Sequence, residues 1–587
     1  MNYVLKHNFS KDTECLREIL EQRGVENVDE YLKPSKECEL NPYNLENIRE
    51  GADMLLRHLR NDSGILMIVD CDCDGYTSAS ILWLYIKSIF PNARLDFTVH
   101  THKEHGLEDK VEWILNENKW DLILVPDAGS FDGQEMRELA AEEIDVLVID
   151  HHSLPDGYDM AAETPSTAIV INNQLSQFYS NKSLCGAGMA YKFCEALDDI
   201  LGINNAASYL DLAALGEIAD VMSRATSETN YIITQGLKNI KNQCFATLIE
   251  SNEYSLKEKA LYPYPKLNAI DIAFYIAPMI NAIVRVGSYE EKKNLFYAFV
   301  EPQRSVKSTK RGATEFEHEN VITQVLRAGQ NAKNRQNKIK EHAIDLIDYK
   351  IMKGGLDQNN VIIIEIDETD DIPQEMTGLI AMAVVSKYGK PCMIGRRNSR
   401  DELQGSIRSN SNFEGLPSFK KFLEDSNLMM YVAGHNSAAG FGIKEASLNS
   451  LLNYANSQLN AEDFKNCYQV DYVFDAEEPA ISTVGTIIAK NEQCFGNGIE
   501  EVTAVIKNVP LSLIYIMGKE RNCIKISHNN VDYIRFKDED FIQQITEHRR
   551  GSVNLYVKFN LNTFCGRTSL QCFIYDYEFV VEDRFAF

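Results

Sequence analysis

Long apolar runs, paired cysteines and positive charge are all scarce in this chain of 587 residues. No window holds the roughly 18 uninterrupted apolar residues of a membrane span. The start, Met1-Asn2-Tyr3-Val4-Leu5-Lys6-His7, lacks the charged head and apolar core of a signal peptide. Both absences point to a cytoplasmic protein with no membrane partner. The 13 cysteines are scattered with no Cys-x-x-Cys spacing, which argues against a zinc ribbon; they read as reduced, small, buried residues. Lys and Arg number 59 against 86 Asp and Glu, a net charge of −27, so the chain is not the simplest kind of nucleic-acid binder. Such an acidic bulk makes strand binding salt-sensitive, or calls for a protein partner that delivers the substrate. No internal repeat or low-complexity segment stands out.

What is present begins with acid. Asp70, Asp72 and Asp74 stand at alternate positions directly after the apolar run Ile65 to Val69, so an extended strand would point all three carboxylates to one side, with Cys71 and Cys73 on the other. Converging like charges repel and are costly to desolvate, and divalent cations neutralise them. The triplet therefore reads as half of a metal site. Two further apolar runs end in chemistry: Leu122 to Val125 in Pro126-Asp127-Ala128-Gly129, and Val146 to Ile149 in Asp150-His151-His152. In a sheet alternating with helices, side chains just past the carboxyl ends of the strands share one crevice. Asp220, after the apolar helical stretch from Ala214, adds a fourth contribution.

Carboxylates with an imidazole suit two divalent ions, Mn²⁺ ahead of Mg²⁺, rather than structural zinc. Two such ions about 3.5–4 Å apart activate a water and clamp a phosphoryl group for in-line displacement. The expected chemistry is phosphoester hydrolysis. Asp127, alone on its strand end, is expected to bridge the ions, with Asp72, Asp74, His151 and Asp220 as further ligands. Asp70 is a ligand or a helix-capping neighbour. Asp150 orients the imidazoles from behind, and His152 touches the scissile phosphate or ligates. Asp127, His151 and His152 are thus the candidate catalytic residues. Thr77 and Ser78 are expected to open a helix after Gly75, capping it and meeting an anion. Glu217 reads as a surface residue.

In order, Asp70-x-Asp72-x-Asp74-Gly75 with Thr77-Ser78, then Asp127-x-Gly129, Asp150-His151-His152 and Gly216-x-x-Ala219-Asp220 resemble the four motifs of the DHH phosphoesterase superfamily. Gly405-Ser406-x-Arg408-Ser409 and Ala433-Gly434-His435-x-x-Ala438-Ala439-Gly440 resemble the DHHA1 domain that follows in that family. The RecJ-type exonucleases are the most similar branch, with echoes at Cys185-Gly186-Ala187-Gly188, Ala277-Pro278-x-x-Asn281-x-x-x-Arg285 and Gly378-Leu379-Ile380-Ala381. The resemblance implies that Arg408, Ser409, Gly434 and His435 hold a phosphate opposite the metals, with Arg285 a further phosphate contact. His100, His102 and His105 stand with Lys103 where relatives carry an arginine-containing segment, and Met376-Thr377 where relatives often show Trp-His.

The expected class is α/β: a doubly wound, mainly parallel sheet as the DHH domain, a smaller α/β DHHA1 domain joined to it by a long helix, and a C-terminal OB-like β-barrel. The boundaries are a helical lead-in over residues 1–60, the DHH domain over 61–225, a helical region and connecting helix over 226–350, the DHHA1 domain over 351–460 and the OB-like domain over 465–587. Two basic stretches, Arg304 to Arg311 and Lys333 to Lys340, are candidate strand contacts; Lys333, Arg335 and Lys338 lie on the connecting helix. In the last domain, Tyr556, Lys558, Phe564 and Arg567 pair aromatics with cations as a single-strand-binding face does.

The resemblance implies a 5′→3′ single-strand DNA exonuclease; RNA is a candidate further substrate, and the chain is expected to be a monomer. Three alternatives stand beside it: a DHH phosphodiesterase acting on short oligoribonucleotides or cyclic dinucleotides, a pyrophosphatase of the superfamily, and a non-catalytic replication or repair scaffold. The C-terminal barrel, which small-substrate relatives generally lack, favours a polymer.

Overall fold

The computed structural model describes the chain except residues 103, 155–157, 311, 313–315, 519, 548–550, 565–566 and 581–587. It divides into two units: Ile19–Arg335 with Gln493–Glu500, and Met1–Glu18 with Gln336–Glu492 and Glu501–Phe587. Two of the boundaries fall inside α-helices, Cys15–Gln22 and Val321–Gly354.

The larger unit is built on five parallel strands in the order Leu95–Val99, Ile65–Val69, Leu122–Pro126, Asp145–Asp150, Ala168–Asn172. Relative to chain order this is 2-1-3-4-5, a doubly wound sheet whose direction of winding reverses between Ile65–Val69 and Leu122–Pro126. The central strands Ile65–Val69 and Leu122–Pro126 are apolar and buried throughout because both faces are covered, whereas the edge strand Leu95–Val99 carries the exposed Asp96. Ile65, Met67 and Val69 join the core beneath the helices Cys73–Ile89 and Gly186–Leu201, while Leu66 and Ile68 join a second core with Val111, Ile114, Met136 and Leu139. The stretch Ala269–Val286 is long and apolar enough to cross a membrane by composition alone. Here its Ile272, Ile276, Ile280 and Ile283 lie in the first core, and Asn268 and Asp271 form a capping box at its start.

Among the described residues the second unit holds a two-stranded sheet and two large ones. One has five strands, from Ile362–Ile366 through Cys392–Arg397, Glu402–Arg408 and Ala438–Lys444 to Tyr431–His435, parallel only between the first two. The other has seven, including the long hairpin of Ser552–Phe564 and Arg567–Val580. The run of short alternating strands expected after residue 465 is present, with two α-helices, Ala480–Lys490 and Glu539–Glu547, that the sequence reading did not place there. The lead-in is helical from Cys15–Gln22 to Ile48–Arg60, but it opens on a strand, Asn2–Leu5, paired in parallel with Cys467–Val470.

Candidate active site

The acidic triplet converges, but not by strand alternation. The strand stops at Val69; Asp72 is the N-cap of the helix Cys73–Ile89, its Oδ1 accepting the Gly75 amide at 3.0 Å, and Asp74 sits in the first helical turn. A tight strand-to-helix turn gathers the three carboxylates, so Cys71 and Cys73 do not share an opposite strand face. Asn281 Oδ1 accepts the Cys73 amide at 3.0 Å and braces that turn. Thr77 and Ser78 lie within the helix, fully buried, their hydroxyls donating to the carbonyls of Cys73, Asp74 and Gly75. Neither opens the helix or faces an anion, which corrects the sequence expectation.

The remaining acids arrive from the next strand ends and from the end of one helix, Leu210–Ala219. Asp127, just past Leu122–Pro126, is buried and held at φ 69°, its amide donating to Ile149 O at 2.8 Å. Among the described residues its Oδ1 receives no hydrogen bond, yet His151 Nε2 stands 3.3 Å away. The same Nε2 is 3.6 Å from Asp220 Oδ2 and 3.9 Å from Asp74 Oδ2. Asp74 also accepts the amides of Gly186 and Ala187, at 2.6 and 2.9 Å, at the positive end of the helix Gly186–Leu201. Glycine is required at 186 and 216 because a Cβ there would lie 2.3 Å from Asp127 Oδ1 and 2.4 Å from Asp74 Oδ1.

Two groups of donor atoms result, Asp74 with His151 and Asp220, and Asp70 with Asp72 and Asp127; a third, Asp127 with His151 and His152, overlaps both. The acids are mutually destabilised as anions: burial and then Asp74 push Asp220 up to about 8, and burial with Asp74 and Asp70 pushes Asp72 up to about 6. Burial likewise drives Asp127 well above the ordinary carboxylate range and holds His151 below the ordinary imidazole value. Crowded carboxylate oxygens in want of positive charge, one of them an orphan, together with a neutral imidazole, have the chemistry to hold divalent cations.

Asp150 stands behind the site. Its Oδ1 accepts the amides of His151 and His152 and lies 2.8 Å from His152 Nδ1; its Oδ2 accepts the Ser130 amide. The Asp150 contact pushes His152 up to about 9 while leaving that ring 56% exposed. Asp150 thus orients His152 directly. Asp70 is engaged too: Gly106 N donates to its Oδ1 at 3.2 Å, and His105 Nδ1 lies 2.8 Å from its Oδ2, which pushes His105 up to about 11. His105 here neutralises Asp70, a role the sequence did not disclose. Glu217 is fully buried, its Oε1 accepting the Cys185 amide, rather than a surface residue.

The other candidates are scattered in kind. Arg285 is exposed one turn after Asn281, on the same face of its helix. Arg335 is committed to Glu291 at 2.9 Å and Arg304 to Glu301 and the Tyr297 ring, so neither basic stretch is wholly available; Lys333 and Lys338 are exposed. In the second unit Arg408 pairs with Ala438, and Ala438 with His435, so residues 27 positions apart in sequence share one row of adjacent strands. The Arg408 guanidinium lies over Gly378, where a Cβ would come within 2.4 Å. Gly434 precedes His435 in its strand, and Ser409, buried, donates its amide to Ser437 O. Tyr556 stacks on Tyr468 at 4.2 Å, and Lys558 pairs with Glu501 at 2.5 Å while lying 5.0 Å over the half-exposed Tyr575 ring. Lys558 is therefore tied down, and Tyr575 is the aromatic that sequence reasoning missed. Arg567 is exposed, and the Phe564 side chain lies outside the described residues.

Comparison with known proteins agrees along the chain. The model of the DHH family, N-terminal domain, matches residues 64–217, and that of the RecJ OB domain residues 470–576. YorK of Bacillus subtilis (strain 168), an SPbeta prophage-derived protein named as a single-strand DNA-specific exonuclease, is 34% identical over 99% of this chain and 98% of its own. RecJ of the same bacterium, named a single-stranded-DNA-specific exonuclease, is 23% identical over 96% of this chain and 68% of its own. The crystal structure of RecJ with Mn²⁺ from Thermus thermophilus covers 95% of this chain and 75% of that one at TM-score 0.69 and 20% identity, a likeness of fold. From the acidic strand ends to the C-terminal sheet, the chain belongs to the RecJ-like family of DHH proteins.

Proposed function

We propose that the protein is a RecJ-like 5′→3′ exonuclease that hydrolyses single-stranded DNA with two bound divalent cations, Mn²⁺ ahead of Mg²⁺. The observation that carries the proposal is the buried, unpartnered Asp127 Oδ1 at the switch point of the sheet, with His151, Asp74 and Asp220 around it. Asp127 would be shared between the ions, Asp74, His151 and Asp220 would help to hold one, and Asp72 with Asp70 would help to hold the other. Bound there, the cations supply an activated water and neutralise charge developing on the phosphoryl oxygens.

The chain's own groups do the rest. Exposed and cationic at neutral pH, His152 offers Nε2 to a phosphate oxygen, while Asp150 holds the ring by Nδ1. The amides at 186 and 187 fix Asp74 so that it need not reorganise as the substrate reacts. Arg408, with His435 in the same row, supplies a bidentate and a single phosphate contact. Support for a polymer substrate comes from the relatives' names and from the C-terminal domain. Digestion of end-labelled single-stranded DNA and RNA with Mn²⁺ or Mg²⁺ tests the proposal: release of mononucleotides from the 5′ end of DNA is expected. Faster turnover of dinucleotides than of long strands would replace it with the short-substrate reading.

A further inference from the structure

The helix that delivers Asp220 ends in a strained turn. Its last residues close as a Schellman motif, with Val221 N donating to Ile218 O at 3.2 Å and Met222 N to Glu217 O at 3.0 Å. The position after the cap, where such motifs use glycine, is Val221, a β-branched residue at φ 58° with 66% of its surface exposed. Its own side chain gains nothing from burial there. A conformation of this kind persists only where the surroundings over-determine it.

The surroundings come from far along the chain. Gln493–Glu500 leaves its neighbours in sequence and belongs to the larger unit. Asn497 Nδ2 donates to Glu217 O at 3.0 Å, filling the second lone pair of the carbonyl that Met222 already uses, and Asn497 O accepts the Arg224 amide at 2.8 Å. One residue thus grips the turn from both ends, Glu217 and Arg224, with Asp220 and Val221 between them. The segment is itself anchored: Arg224 Nη1 donates to Gln493 O at 2.7 Å, the Tyr31 hydroxyl to Cys494 O at 2.7 Å and Arg23 Nε to Glu500 O at 2.8 Å. Asn497, at φ 49°, is 8% exposed.

We propose that Asn497 is a positioning residue for Asp220: the segment Gln493–Glu500 is a clip that holds the strained Asp220–Val221 turn and so sets one carboxylate of the metal site. The inference rests on the two-cation reading above. It follows that a C-terminal deletion ending before Gln493 disables metal binding itself, and does not merely remove a strand-binding domain.

The test is Mn²⁺ binding to the full-length protein without nucleic acid, by calorimetry and by the electron-paramagnetic signal of free Mn²⁺. Asn497→Gly removes the amide while tolerating the left-handed backbone. It is expected to weaken uptake of one of the two ions by about 10- to 100-fold, the range for groups that hold a ligand in place. Val221→Gly relieves the turn, so adding it to Asn497→Gly should return Mn²⁺ affinity to within about threefold of wild type, a fraction of that range. Wild-type affinity in Asn497→Gly, or a double variant that regains thermal stability without regaining affinity, would overturn the clip. A wild-type protein that binds Mn²⁺ at neither site would overturn the two-cation reading and the clip with it, whereas full Mn²⁺ binding without nuclease activity would leave the clip standing and sink only the nuclease assignment.

Discussion

His151 Nε2 lies 3.3 Å from Asp127 Oδ1, a buried oxygen that no described hydrogen-bond donor reaches. An acceptor of this kind is costly to keep, and the cost is offset only when a cation occupies the space. Asn at this position keeps the shape and tolerates φ 69°. Asp127→Asn should therefore fold, melt no lower than wild type in EDTA, and lose far more than the ~100-fold of Mn²⁺-dependent activity that outer groups cost. Thermal melts with and without Mn²⁺ check both halves, and retained activity would remove Asp127 from the bridging role.

Protons and cations compete for the same oxygens. With Asp72 raised to about 6 and Asp220 to about 8, both carry protons when metal-free at pH 5 to 6, where an ordinary carboxylate carries none. Mn²⁺ affinity should accordingly rise from pH 5 to about 8 and then level, with proton release on binding detectable in buffers of different ionisation enthalpy. The linked effect on the metal-free fold has the opposite sense. Raised carboxylates hold more protons folded than unfolded, so the stability they contribute is complete below about pH 4 and is lost as pH climbs through about 8. Melting temperature in EDTA should fall over that window and the fall should vanish with Mn²⁺ present.

Asp150 and His152 form a second pair with a readable pH signature. Asp150 lifts His152 to about 9, so the imidazolium survives through the neutral range. Asp150→Asn should drop activity about 10- to 100-fold and move the alkaline limb of the rate profile down toward the ordinary histidine value of about 6.5. An unmoved alkaline limb would assign that limb to another group.

For the C-terminal sheet, Tyr575→Ala should weaken binding of long single strands by about 1–3 kcal/mol while leaving dinucleotide cleavage unchanged, since stacking acts on bases remote from the scissile bond. Fluorescence anisotropy with a labelled oligonucleotide alongside a dinucleotide assay separates the two. Equal losses in both would count against a strand-binding face.

Much of this was legible because certain residues have no reason to occur without the chemistry. Asp127, Asp220 and Asp150-His151-His152 follow apolar runs, and the alternation of such runs with helices places their ends in one crevice. Less was legible wherever local context decides. Asp70, Asp72 and Asp74 have the spacing of a strand, yet Asp72 caps a helix; three residues cannot say whether extension continues or a helix begins. Glu217 looked like surface because charge usually is, and its burial depends on Cys185 and Gly188 of another helix.

The residue order alone determined which atoms are available: acids and imidazoles at the ends of apolar segments, a doubly wound sheet to collect them, and short strands after residue 465. Tertiary structure decided which of those atoms are already spoken for. His105 occupies Asp70, Glu291 occupies Arg335, Glu501 occupies Lys558, and Asn497 reaches from the far end of the chain to the turn that carries Asp220. Pairings of this sort depend on directed contacts over a few ångströms between residues distant in sequence, and neither hydrophobic period nor motif spacing carries information about them.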